Sequence, residues 1–135
     1  MNWREYFETT RGTGVLATAD ADGVVDVAIY ARPHVLADGI GFIMPDRRTH
    51  QNLGENLRAT YLFIEEPSEE GGEKFVGHRL HLKKTGEEKD TERLRSLRRR
   101  TYSDDTAERY LVLFDIEEAR PLVGDEGAFC YVPKR

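Results

Sequence analysis

Gly14-Val15-Leu16-Ala17-Thr18-Ala19-Asp20-Ala21-Asp22-Gly23-Val24-Val25-Asp26-Val27-Ala28-Ile29-Tyr30 reads as two strands around a turn. Val15 to Ala19 is short and apolar. Asp20-Ala21-Asp22-Gly23 collects residue types that favour tight turns, so the flanking runs fold back on each other. Val25, Val27 and Ile29 then alternate with Asp26, Ala28 and Tyr30, the period of a strand with two distinct faces. A hairpin of this kind points to an antiparallel sheet.

Upstream, Asn2 to Thr10 reads as a helix with Trp3, Tyr6, Phe7 and Thr10 on one face. Asn2 caps it, Glu5 stands three residues on as in a capping box, and Gly12 and Gly14 end it. Downstream, Pro33 ends or bends the second strand. Ala37-Asp38-Gly39 makes another turn, and Ile40 to Met44 is a third strand. Pro45 and Asp46 break the pattern before a short helix with Leu53 and Leu57 on one face, weakened by Gly54. Ala59 to Ile64 is a fourth strand. Glu65 to Lys74, with Pro67, Gly71, Gly72 and five glutamates, is an exposed loop. Val76, Leu80 and Leu82 alternate with Arg79, His81 and Lys83 in a fifth strand. Glu92 to Thr101 is a helix with Leu94 and Leu97 inward, with acids from Glu87 to Glu92 at its start and Arg98, Arg99 and Arg100 at its end, as the helix dipole favours. Tyr110 to Ile116 is a sixth strand and Phe129 to Val132 a short last one. The expected fold is mainly β with short α-helices: six or seven antiparallel strands closing into a barrel, with the helices peripheral.

The 135 residues fit one domain spanning 1–135. Hydrophobic residues at 39% supply one modest core, and charged residues at 33% a very polar surface. A net charge of −5 argues against general nucleic-acid binding, which needs a positive face. The run Arg98-Arg99-Arg100 closes a helix without interleaved aromatics and reads as a solvated face. Cys130 is the single cysteine, which predicts a reducing compartment; the expected location is the cytoplasm, with no signal peptide and no membrane-spanning run.

Several chemistries are absent from the pattern. Gly12-Thr13-Gly14 follows a helix and precedes a strand, the reverse of a dinucleotide fingerprint. Neither a phosphate loop ending in Gly-Lys-Ser/Thr nor a Gly-x-Ser-x-Gly elbow is present. His78 and His81 are three apart on a strand and so face opposite ways, which speaks against a metal site.

One segment carries chemistry. In Phe42-Ile43-Met44-Pro45-Asp46-Arg47-Arg48-Thr49-His50-Gln51-Asn52-Leu53 a strand ends, Pro45 forces a turn and a helix begins near Asp46. A helix start leaves N–H groups unpaired and partly positive. Two arginines and a threonine hydroxyl in that turn suit a phosphate dianion. The residues alone leave two readings open: a phosphate site, or Asp46 capping a helix whose arginines face water.

The segment resembles the FMN-binding split-barrel group related to pyridoxamine 5′-phosphate oxidase. The likeness rests on Arg47-Arg48-Thr49, on Asn52-Leu53, on Asn56-Leu57-Arg58-Ala59-Thr60-Tyr61-Leu62-Phe63, and on the hairpin quoted above. It covers roughly residues 1 to 85 and implies FMN as cofactor, its phosphate on Arg47, Arg48 and Thr49. Ile29, Tyr30 and Ala31 would run beside the isoalloxazine, and Ile43 and Met44 would offer backbone groups to the ring and ribityl chain. It also implies an FMN-dependent oxidoreductase served by NAD(P)H or a redox protein, and a homodimer with flavin at the interface. Exposed Tyr61, Phe63 and Phe75 would suit that contact, though core packing explains them equally well. The family often has Lys where Thr49 stands. The true oxidase has a C-terminal segment bearing Trp and Arg, unlike Tyr131-Val132-Pro133-Lys134-Arg135, so vitamin B6 oxidation is not assigned. Alternatives are a non-catalytic FMN carrier, a haem-binding barrel using His34, His50, His78 or His81, a deazaflavin binder, and an interaction module without ligand.

Overall fold

A computed structural model describes residues 1–67, 75–98 and 108–124. Its first helix, α1 (Trp3–Thr9), starts where Asn2 Oδ1 accepts a hydrogen bond from the Glu5 amide at 3.1 Å. Phe7 is buried, and Trp3 and Tyr6 pack against the core beside it. Strands β1 (Gly12–Ala19) and β2 (Val25–Ile29) form the expected hairpin, with Val15 opposite Ile29 and Ala19 opposite Val25. In the turn, Asp20 Oδ1 accepts from the amides of Asp22 and Val24, and Gly23 takes the left-handed φ of 83° that glycine tolerates.

The chain continues through β3 (His34–Leu36), β4 (Gly39–Met44), α2 (Arg48–Glu55), β5 (Arg58–Glu65), β6 (Gly77–Lys89), α3 (Glu92–Leu97) and β7 (Tyr110–Pro121). All seven strands make one antiparallel sheet in the order β2-β1-β5-β6-β7-β4-β3. This is the split barrel expected from the hairpins and alternating faces, with β2 and β3 as its open edges. The core gathers Leu16, Phe42, Met44, Tyr61, Phe63 and Phe114 with their apolar neighbours. A smaller cluster of Leu94, Leu111 and Leu113 lies under α3. Among the described residues no helix is long and apolar enough to cross a membrane.

Several local expectations change. Gly12 and Gly14 do not end α1 but belong to β1. A Cβ on Gly14 would overlap Tyr61 Oη and the Tyr30 carbonyl, so the glycine serves a close approach of strands. The three residues after Pro33 form a strand, β3, too short to show alternation. Strand β6 runs on through Glu87 and Glu88, which the sequence places with the next helix, because register shifts after His81 and Lys84 break the period-two signal. Leu57 lies past the end of α2 and is exposed, unlike the buried Leu53. Tyr61 and Phe63 are fully buried; of the three aromatics considered for an outer face, Phe75 alone is exposed. Cys130, Arg99, Arg100 and the strand expected over Phe129 to Val132 lie outside the described residues.

Candidate functional site

The start of α2 differs from the expected cap. Arg47, not Asp46, is the N-cap residue, and no side chain caps the helix. The Arg47 amide closes the Pro45 turn by donating to the Pro45 carbonyl at 3.0 Å. Asp46 turns instead toward His50, whose Nδ1 lies 2.8 Å from its Oδ1. The first amides of α2 thus have neither an intrahelical partner nor a side-chain one among the described residues. Arg47 and Arg48 are exposed and form no side-chain hydrogen bond or ion pair within the described residues. Thr49 is 6% exposed, yet its hydroxyl has no hydrogen bond within the described residues.

These three residues open onto a cleft of about 560 Å³, within the roughly 300–1,000 Å³ range of small-molecule sites. Its opposite wall is the end of β2 and the link to β3, with Ile29, Tyr30 and Ala31, and its floor carries Phe42 and Ile43. Of the eight residues singled out in the sequence, Met44 does not line the cleft; its side chain is fully buried in the core. The link after β2 is held from two sides. Tyr61 Oη is 3.1 Å from the carbonyl oxygens of both Tyr30 and Ala31, and Arg32 Nη1 donates to the carbonyls of Phe7 and Thr10 at the end of α1. Arg32, His34 and Arg98 also line the cleft. Arg32 directly follows Ala31, whereas Arg98 comes from a part of the chain distant in sequence that no local pattern marks. Arg98, read in sequence as part of a solvated face, is the C-cap of α3. With Asp26 as the one acid among its lining residues, the cleft is strongly cationic in a chain whose net charge is −5.

A second cleft, of about 460 Å³, lies along β1, β5 and β6. Its polar side chains largely answer one another: Arg58 pairs with Glu117, and Thr60 Oγ1 lies 3.2 Å from His81 Nδ1. Glu118 pairs with Arg120, and His81 Nε2 is buried with no partner among the described residues. Of the remaining histidines, His78 sits edge-on to Trp3 and Tyr6, and burial pushes its imidazole pKa down against the opposing pull of Glu65. Among the described residues no group of three or more His, Cys, Asp or Glu is placed to hold a metal ion.

No family model matches the sequence, and no curated protein does. Solved structures do. An FMN-binding protein from Syntrophomonas wolfei superposes with a TM-score of 0.66 at 19% identity, covering 90% of this chain and 84% of that one. The haem storage protein HutZ from Vibrio cholerae gives 0.60 at 17%, covering 84% and 87%. An F420 reductase gives 0.52 at 15%, covering 91% and 95%. The likeness is one of fold. The shared fold does not by itself fix what this chain binds.

Proposed function

We propose that the protein binds FMN in the cationic cleft, as a flavin-dependent oxidoreductase of the pyridoxamine 5′-phosphate oxidase-related kind. The observation that carries this is the start of α2: a helix with no side-chain cap, two exposed arginines with no side-chain partner among the described residues, and beside them Thr49, which lines the cleft and whose hydroxyl makes no hydrogen bond among the described residues. Each lacks what a phosphate supplies, namely acceptor oxygens and negative charge. Arg47 and Arg48 would take the phosphate oxygens by their guanidinium forks, and Thr49 would donate its hydroxyl. Ile29, Tyr30, Ala31 and Ile43 would flank the ring, with Met44 contributing backbone from the core side.

Bound flavin would supply hydride or electron transfer, with NAD(P)H or a redox protein as donor. The chain's own part is to hold the ring against a wall that Tyr61 and Arg32 keep in place. The same surface supports reading the protein as a homodimer. Val25, Val27 and Ile29 are 75%, 64% and 72% exposed on an edge strand, and Ile29 also lines the cleft. A second copy covering this row would close over the flavin. A cytoplasmic, reducing location fits such a redox protein.

Absorbance of the purified protein tests the proposal. Flavin bands, or their appearance on adding FMN, support it; a colourless protein that does not take up FMN overturns it. One observation favours a second cofactor, haem: His34 lines the same cleft. A Soret band in place of flavin bands would select it.

A further inference from the structure

We infer that His50 is a positioning residue that sets the preference for FMN over flavins lacking the phosphate, an inference that rests on the function proposed above. His50 is the third residue of α2, directly after Arg48 and Thr49. Its side chain is 14% exposed and does not line the cleft, so it acts through the turn and not on the ligand. Both ring nitrogens face carboxylates: Nδ1 lies 2.8 Å from Asp46 Oδ1, and Nε2 lies 3.0 Å from each oxygen of Glu87. A carboxylate accepts hydrogen bonds and a ring N–H donates them, so the imidazole bridges Asp46 and Glu87. The ring also stacks on Tyr110, with centroids 3.9 Å apart and planes 21° from parallel.

These contacts come from three places. Asp46 lies in the turn before α2, Glu87 is on β6 and Tyr110 opens β7. Lys84 holds Glu87 from the same strand at 2.7 Å, and Lys89 lies 5.9 Å over the Tyr110 ring. The turn bearing Arg47, Arg48 and Thr49 has no side-chain cap; further along, α2 is anchored to β1 by Asn52 Nδ2 donating to Thr18 Oγ1 at 3.1 Å and by the buried Leu53, while His50 ties the turn end of the helix to β6 and β7. Orientation matters here because a guanidinium fork binds phosphate in a narrow range of angles. Releasing the tie lets the arginines swing while the wall held by Tyr61 stays put. Phosphate recognition therefore suffers and ring binding does not.

The test is the ratio of FMN to riboflavin affinity, read by flavin fluorescence quenching at fixed pH. His50→Phe keeps a ring on Tyr110 but loses both polar contacts; it is expected to weaken FMN about tenfold and to leave riboflavin unchanged. Glu87→Gln should shift the ratio in the same direction by less, and carries the test if His50→Phe fails to fold. Thr91→Ala, which loosens α3 instead, should leave the ratio at the wild-type value. A wild-type preference for FMN that survives in His50→Phe and Glu87→Gln, or an equal loss of both flavins, overturns the inference alone. A wild type that binds FMN and riboflavin equally overturns the phosphate anchor itself, and the role of His50 with it.

Discussion

Helices α2 and α3 begin in opposite ways. At α3, Thr91 Oγ1 accepts from the Leu94 amide at 3.2 Å, Glu92 stands in the first turn and Arg95 in the last. Every element there agrees with the helix dipole. At α2 there is no side-chain cap and no acid in the first turn, and Arg47 and Arg48 put positive charge at the positive pole. Each such cation is unfavourable by about 0.3–1 kcal/mol in a bare helix. Adjacent residues of β6 brace the two helices. Glu87 grips α2 through His50, and Glu88 grips α3 through Thr91 and Arg93. The start of α3 is complete in itself; on the function proposed above, that of α2 is completed by an anion. The contrast then separates a helix start built for stability from one built to hold a ligand.

Removing both cations tests the contrast most severely. Arg47→Ala combined with Arg48→Ala is expected to lower FMN affinity by about a hundredfold or more, since hydrogen bonds to charged groups contribute about 1.5–3 kcal/mol each. Titration calorimetry should show riboflavin unaffected; equal losses would erase the distinction between the two helices. The reciprocal pair is smaller. Thr91→Ala should cost about 1 kcal/mol of stability in denaturant melts with FMN affinity unchanged. Arg47→Ser, which gives α2 a cap like that of α3, should stabilise the apoprotein by about 0.5–1 kcal/mol while weakening FMN. A destabilised apoprotein would show that Arg47 has a structural partner after all.

The hairpins, the β4 strand and the strand-turn-helix at Pro45 were legible because each announces itself within a few residues. Arg47, Arg48 and Thr49 belong to that class. His50 was not legible as a tie, since Glu87 lies 37 residues away and reaches it through a bulged strand whose alternation is broken. Arg98 joins the cleft for reasons of topology that no local window contains. Tyr61 sits in an apolar run where inward and outward positions look alike, and register with its neighbours sends it to the core.

The smallest expected effects are in pH. Burial alone would raise the Glu87 carboxyl pKa, but hydrogen bonds from Lys84 and His50 outweigh it and hold the group below its ordinary value of 4.5. A carboxyl lowered in the folded state stabilises above 4.5, and that contribution is lost as pH falls through the folded value. At Glu88, hydrogen bonds from Arg93 and then Thr91 lower the pKa, giving α3 the same acid limb. His78 acts at higher pH. Its lowered pKa means that the unfolded chain takes up the proton first, so stability declines as pH falls below 6.5. His78→Phe should flatten that part of a stability–pH curve, measured by thermal melts, and leave the more acidic part in place.

The hydroxyl of Tyr61 has a consequence for how this protein can change. One end of the cleft carries Arg47 and Arg48, exposed side chains whose exchange leaves the core packing in place. The opposite wall hangs from a buried ring packed among Phe42, Phe63 and Phe7, against a strand where only glycine fits. A lineage can therefore alter the charge at that end by single surface substitutions, whereas reshaping what lies beside Tyr30 and Ala31 requires coordinated changes in the barrel interior.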